Sequence, residues 1–312
     1  MLETGPAARS AGLRIALAVD QVDWHAREIV RALAALGARA VPFRLSAACF
    51  DTTARFGLKF RGFSGELPDA VIVRAISGGS FQAVTMRLGV LHALRELGVP
   101  VWNDARAVER CVDKSTTSFL LDRAGIPTPA TWTVESLAAA RSIAQREIGS
   151  GPLVLKPLFG SQGRGLRLIG AIDDLPPAET IDGVYYLQRF VGVERDGFRD
   201  LRVLVVRGRV VAAMVRHADH WITNIKQGGR PVPTVPDTEV KALAIAAAKA
   251  VGADLAGVDI VRDANGKSYV LEVNSMPAWR GLQRVTSANI AALIARDLVA
   301  ALEAVSQQKV AM

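Results

Sequence analysis

Two acids and an amide in the last third of the chain are spaced to hold a hard cation. Asp259 lies in Ala256-Gly257-Val258-Asp259-Ile260-Val261, and thirteen residues on begins Glu272-Val273-Asn274, the end of Ser268-Tyr269-Val270-Leu271-Glu272-Val273-Asn274. Asp263, Asn265 and Gly266 between the two apolar runs read as a hairpin turn. Side chains alternate along a strand, so Glu272 and Asn274 point to one face, where Asp259 of the paired strand can join them. Two carboxylates and an amide oxygen make an oxygen-only set. Such a set suits Mg²⁺, with Mn²⁺ as the alternative, when the ion must also hold nucleotide phosphates. The competing reading is of polar strand ends in solvent.

A second group upstream turns the cation site into a nucleotide site. Pro152-Leu153-Val154-Leu155-Lys156-Pro157 reads as a short buried strand ending in a lysine. Phe159-Gly160-Ser161-Gln162-Gly163-Arg164-Gly165 follows, then the apolar run Leu166-Arg167-Leu168-Ile169. Strand, glycine loop, strand is a flap and differs from the strand-to-helix phosphate loop with its Gly-Lys-Ser/Thr. Its glycines let backbone N–H groups approach phosphate oxygens, and Lys156 adds a point charge. Alone, a glycine-rich hairpin reads equally as an ordinary turn; the lysine strand and the acidic pair give it meaning.

Lys114, Lys156, Gly160-Ser161-Gln162-Gly163-Arg164-Gly165, Gln188-Arg189-Phe190-Val191, Asp200-Leu201-Arg202, Gly257-Val258-Asp259 and Glu272-Val273-Asn274 occur in the order of the ATP-grasp superfamily. Within it the chain resembles the RimK-like α-L-glutamate ligases from about residue 105 to residue 300. The strand Val210–Arg216, then Asn224 and Gly228-Gly229, carries that closer resemblance. The resemblance implies an α/β protein: two α+β lobes enclosing ATP, preceded by a doubly wound pre-ATP-grasp domain that helps bind the acceptor. It implies Lys114 and Lys156 on the α- and β-phosphates and Mg²⁺ on Asp259, Glu272 and Asn274. Adenine would lie against Gln188, Arg189, Phe190 and Val191, with Glu194 a weaker candidate for the ribose. Arg202 would stabilise the transferring group, a task for a permanently charged guanidinium; a surface salt bridge to Asp200 or Glu194 is its other reading. Arg216 and Asn224 would serve the amino acid, Arg216 by gripping its α-carboxylate. The family often has an arginine two residues before that asparagine. Here Ile222 stands there, which leaves Lys226 or Arg230 to replace the cation.

The stretch Met276-Pro277-Ala278-Trp279-Arg280-Gly281-Leu282-Gln283 is similar to the branch associated with methanopterin- and methanofuran-type one-carbon cofactors. Many relatives have a small Ser-Pro-Gly turn there, and a tryptophan implies a flat or extended acceptor. The implied activity is ATP-dependent addition of L-glutamate, once or repeatedly, to a carboxylate-bearing acceptor of that kind. Modification of a protein tail or peptide, and a regulatory nucleotide-binding module without turnover, are the alternatives. Intact Lys156, Arg202, Asp259, Glu272 and Asn274 speak against the module.

Composition agrees with this and excludes little. The chain has 312 residues, half of them hydrophobic, and a formal charge of +8, so two or three lobes are expected. Basic residues are scattered with no aromatic-basic stacking motif, which points to acidic substrates and away from nucleic acid. Cys49 and Cys111 lack a metal-ligand spacing and read as buried thiols of a reducing compartment. The first residues show no basic leader, and the apolar Ile15–Val19 is too short to span a bilayer. A cytoplasmic homo-oligomer, dimer or tetramer, is expected. Strands over Leu13–Asp20, Arg39–Leu45, Asp69–Ala75 and Val99–Trp102 alternate with helices over Trp24–Leu36 and Phe81–Leu97, the pattern of a parallel sheet. Helices are further expected over Asp113–Ala124, 141–149, Glu239–Val251 and Ala288–Ala304, and a hairpin joins Leu201–Val206 to Arg209–Arg216. The division that follows is 1–104 for the pre-ATP-grasp domain, 105–187 for the smaller lobe and 188–312 for the C-terminal lobe.

Overall fold

The computed structural model describes residues 12–160, 162–192 and 197–311. Its first sheet is built from β1 (Arg14–Ala18), β2 (Arg39–Phe43), β5 (Ala70–Val73) and β6 (Val101–Trp102), in the order β2-β1-β5-β6 and parallel throughout. A two-stranded ribbon, β3 (Cys49–Phe50) with β4 (Leu58–Lys59), interrupts it. Helix α1 (Trp24–Ala34) begins where Asp23 accepts from Ala26 N, and α2 (Phe81–Glu96) where Ser80 accepts from Ala83 N, side-chain caps of the ordinary kind. Alternation along β1 sends Ile15 and Leu17 under α1, and Ala16 and Ala18 to the opposite core with Val90, Leu91 and Leu94 of α2. The sheet is therefore covered on both faces, as the strand–helix alternation predicts.

Helices α3 (Ala105–Val112) and α4 (Lys114–Arg123) lead to the second sheet. It contains β7 (Thr131–Val134), β8 (Leu153–Lys156), β9 (Arg167–Ile169) and β10 (Tyr185–Arg189) in the antiparallel order β7-β10-β8-β9. Helix α5 (Leu137–Glu147) starts four residues before the expected 141, because Ser136 caps it by accepting from Ala139 N. Leu153, Leu155, Tyr185 and Leu187 pack with Ala140, Ile143 and Ala144 of α5. The alternate residues Val154, Lys156, Tyr186 and Gln188 are thereby turned to the other face.

The third sheet holds β11 (Phe198–Val206), β12 (Arg209–Ala218), β13 (Arg230–Pro233), β14 (Leu255–Arg262) and β15 (Ser268–Asn274), ordered β13-β12-β11-β14-β15 and antiparallel. Helix α6 (Thr238–Val251) covers one face, packing on Val203, Val205, Val258, Ile260 and Val270. On the opposite face, Leu204, Val206, Ala212 and Met214 go under α7 (Arg280–Gln283), α8 (Ile290–Ala311) and α1 in one shared core. The charged residues further along those strands, Asp200, Arg202 and Arg216, lie beyond this cover. Buried Asn103 ties the first unit to this sheet: Nδ2 donates to Leu255 O (2.6 Å) and Ser275 O (2.5 Å), and Oδ1 accepts from Leu255 N at 2.9 Å.

Candidate active site

The acidic hairpin forms as its spacing requires. Asp263 closes the turn by accepting at Oδ1 from Asn265 N and Lys267 N, both 2.9 Å, and Gly266 takes a left-handed φ of 83°. In the ladder Asp259 stands opposite Glu272, and Gly257 opposite Asn274. The register slips between Asp259 and Ile260, which pairs with Val270, so Leu271 is an extra residue, a β-bulge. Val270 and Val273 remain in the core while Leu271 and Glu272 both line the cleft. Asn274 Nδ2 donates to Glu272 Oε1 (2.9 Å) and Gly257 O (3.3 Å), so its amide oxygen is the atom left for a cation. Among the described residues no three His, Cys, Asp or Glu side chains gather as a metal cage. Asp259, Glu272 and Asn274 thus fit an ion that takes further oxygens from a bound nucleotide.

Lys156 and Lys114 face this hairpin across the cleft. Lys156 Nζ donates to Gln188 Oε1 at 2.6 Å, while buried Gln188 donates from Nε2 to Thr131 Oγ1 and Tyr186 OH, both at 3.2 Å. Lys114, the first residue of α4, donates to Gly160 O (3.0 Å) and Leu158 O (3.2 Å). Neither lysine has an ion-pair partner among the described residues. Burial pushes Lys156 down to about 8 and also lowers Lys114, only partly opposed by the charge of Glu272. The flap bends over them with left-handed backbone at Gln162, Gly163 and Gly165. A side chain at Gly163 would come within 2.6 Å of Ile222 and 2.7 Å of Asn224. Asn224 and the flap glycines are therefore brought together. Ser161 lies outside the described residues, as does Glu194.

The arginines are differently held. Arg202 sits opposite Asp259 in the ladder and bonds it with both arms of its guanidinium, Nη2 to Oδ2 at 2.7 Å. Arg216, opposite Asp200, donates to it through Nε (2.8 Å) and Nη2, and Nη2 also reaches Asp259 Oδ2 at 2.9 Å. All four are buried, forming the chain Asp200–Arg216–Asp259–Arg202. Burial alone would lower Arg216, but the two carboxylates raise it, and the two arginines hold Asp259 below the usual carboxylate range against its own desolvation. The surface salt bridge considered for Arg202 is replaced by this buried pair. Arg216 and Asp259 line the cleft, and Arg202 lies behind them over Gly257.

At the opposite end, Phe190 meets Phe198 and Trp221 edge-on, with centroids 6.5 and 6.1 Å apart. Val154, Val191, Val261 and Leu271 complete an apolar lining. Arg189 contributes its strand but turns its guanidinium to Glu147. Phe198, Trp221 and Leu271 are additions to the sequence-derived set; an aromatic pair flanking the Arg202–Arg216 hairpin was the available signal for the first two.

Three expectations are corrected. Trp279 is fully buried, against His25 (centroids 4.7 Å apart) and under the guanidinium of Arg74, so it is a joint between units and offers no surface to an acceptor. Lys226 is exposed, and Arg230 is bound to Asp219 at 3.0 Å; neither lines the cleft, where Arg164 and Arg199 are the additional cations. Cys49 is exposed. Cys111 is half-buried, and burial pushes its thiol up to about 12. No helix of the described residues is long and apolar enough to cross a membrane.

A cleft between two antiparallel sheets, roofed by a glycine flap, is the arrangement of an ATP-grasp fold. The RimK-like ATP-grasp domain matches residues 111–298, more than half of the chain, and the chain belongs to that family of ATP-dependent ligases. Its relatives include the tetrahydromethanopterin:alpha-L-glutamate ligase of Methanosarcina acetivorans, 31% identical over 86% of this chain and 93% of that one. The ligase of the same name from Methanococcus maripaludis is 38% identical over 62% of this chain and 67% of that one. Among solved structures, the ATP-grasp ligase PsnB complexed with minimal precursor has a TM-score of 0.71 at 23% identity, covering 92% of this chain and 98% of its own. The RimK domain ATP-grasp protein from Sphaerobacter thermophilus has a TM-score of 0.66 at 21% identity, covering 92% and 99%. At such identities these two structures speak for the fold alone.

Proposed function

We propose that this chain joins the amine of L-glutamate to a carboxylate of a small-molecule acceptor, a pterin-type one-carbon cofactor such as tetrahydromethanopterin or its precursor. The observation that carries the ligase chemistry is the pair of desolvated lysines, without acidic partners among the described residues, facing Asp259, Glu272 and Asn274 under a glycine flap. That is a site shaped for a polyphosphate. The acceptor class rests on the named relatives and the Met276–Gln283 stretch.

A carboxylate oxygen of the acceptor attacks the γ-phosphorus of ATP, and the P–O bond to ADP breaks with its electron pair leaving on ADP. The glutamate amine then attacks the acyl carbon, phosphate leaves with the C–O electron pair, and the amine loses a proton. Asp259, Glu272 and Asn274 would hold Mg²⁺, which would neutralise phosphate charge. Lys114 and Lys156 bind the α- and β-phosphates, Gly160, Ser161, Gln162 and Gly163 close over them, and Gln188 positions Lys156. The backbone of Arg189–Val191 and the rings of Phe190, Phe198 and Trp221 bury adenine, with Glu194 assigned to the ribose. Arg216 and Arg202 stabilise charge on the transferring group. Arg216, with its Nε and Nη2 engaged by carboxylates, acts there more readily than as a grip on glutamate. Asn224 stands under the flap beside the reacting carbonyl. The test is ADP release with ATP, Mg²⁺, L-glutamate and tetrahydromethanopterin, followed by mass spectrometry for a product one glutamyl unit heavier. ADP formation that ignores both co-substrates, or a product only with a peptide, overturns the reading.

A further inference from the structure

Beside the cleft lies a second cavity of about 250 Å³, lined by Arg74, Ile76, Cys111, Asn274 and Met276 among others. Lys114, Gly160 and Glu272 line both cavities. The two therefore meet at the phosphate and metal end, away from the Phe190–Trp221 end. Arg74 follows β5 at the carboxyl edge of the parallel sheet, the edge at which open α/β sheets take ligands. Its Nη2 donates to Pro277 O at 2.8 Å, and its guanidinium stacks 4.5 Å from the centroid of Trp279.

The other two nitrogens, Nε and Nη1, are buried and have no hydrogen-bond partner among the described residues. No described carboxylate forms an ion pair with Arg74. Asp23 acts on it only from a distance, and burial pulls its pKa down to about 10. Arg202 and Arg216, buried in the same protein, are each bound to a carboxylate. Arg74 as a whole is half-buried, but covered donors left unmet cost about 1–3 kcal/mol each. The need is for an anion that no described residue supplies.

We propose that this second cavity is the acceptor pocket and that Arg74 anchors a carboxylate of the acceptor in it. The proposal rests on the ligase reading and extends it: nucleotide and acceptor enter from opposite sides and meet at Glu272 and Asn274. A planar guanidinium fixed on an indole face is a rigid fork for a carboxylate, and a lysine there would keep the charge but lose the fork.

The experiment is calorimetric titration of glutarate into the enzyme saturated with Mg²⁺, ADP and L-glutamate, so that the amino-acid site is already filled. Wild type binds glutarate, Arg74→Gln weakens it by about tenfold or more, and Arg74→Lys, the folding control, falls between. In turnover, the KM for tetrahydromethanopterin rises in parallel while the KM for ATP stays within about twofold of wild type. Unchanged glutarate affinity in Arg74→Gln overturns the proposal, as does absence of glutarate binding by wild type. So does an equal rise in the KM of every substrate, the mark of a merely structural cation–π joint. Failure of wild type to turn over tetrahydromethanopterin counts against the acceptor assignment alone, because the glutarate titration still decides the role of Arg74.

Discussion

Two lysines and two arginines are gathered around one cleft, and their surroundings are opposite. Lys114 and Lys156 are desolvated and bonded only to neutral oxygens. Arg202 and Arg216 are more deeply buried and are tied to Asp200 and Asp259. The first pair stores an unmet demand for negative charge; the second has its demand met inside the fold. An arriving polyphosphate therefore gains most on the lysine side. On the arginine side it would have to compete with Asp200 and Asp259 for the guanidiniums.

The sharpest way to break this comparison is at the two acids. Glu272→Gln is expected to abolish Mg²⁺-dependent ADP formation while leaving the melting temperature near wild type, since among the described residues Glu272 is hydrogen-bonded to Asn274 alone. Asp259→Asn is expected to abolish turnover too, but also to destabilise the fold by about 3–5 kcal/mol, because it takes the carboxylate from buried Arg202 and one of two from Arg216, which keeps Asp200. Their spacing makes the acids look equivalent; their partners do not. Equal melting temperatures for the two variants would refute the paired-arginine picture.

A smaller effect of mixed sign is expected at Lys156. Lys156→Met should weaken ATP binding by about 10–100-fold, the loss of a charge-assisted contact, yet raise stability at neutral pH by about 1–3 kcal/mol because a strained buried charge is gone. Equilibrium unfolding and nucleotide titration on one preparation measure both. Stability that falls along with affinity would mean the lysine is internally satisfied after all.

The gentlest test is pH. Free Lys156 gives up its proton near pH 8, below the 10.5 of an unfolded lysine. Bound phosphates favour its charged form, so the apparent KM for ATP should climb as pH rises through about 8. Between pH 8 and 10.5 the unfolded chain holds a proton that the folded one has lost, so this group makes the fold more stable with rising pH across that window. Both trends should be absent from Lys156→Met. A KM profile that stays flat through pH 9 in wild type would sever the link between burial and nucleotide binding.

Much of this was legible in the residues because it is local. The Asp263–Gly266 turn fixes the hairpin, and period-two alternation puts Glu272 and Asn274 on one face. Lys156 ends an apolar strand beside glycines that only a left-handed loop needs. The pairing of Arg216 with Asp200 and of Arg202 with Asp259 was not legible, since both depend on which strands become neighbours and in what register. Nor was the burial of Trp279, which follows from the first unit closing over Met276–Gln283, or the aromatic end of the cleft, where Phe190 and Trp221 meet from distant segments.

The extra residue in β15 has a consequence of its own. Strict odd–even parity would send Glu272 to the same side as Val270, into the core. Leu271 resets the parity, so that the residues before it and those after it obey opposite rules. Chain length here therefore decides geometry independently of residue type. A homologue one residue shorter at this point would keep its acids in the cleft by plain alternation, and would lose only the aliphatic wall that Leu271 provides. The shape of the cleft can thus drift through single-residue insertions in this strand while Glu272 and Asn274 keep their facing.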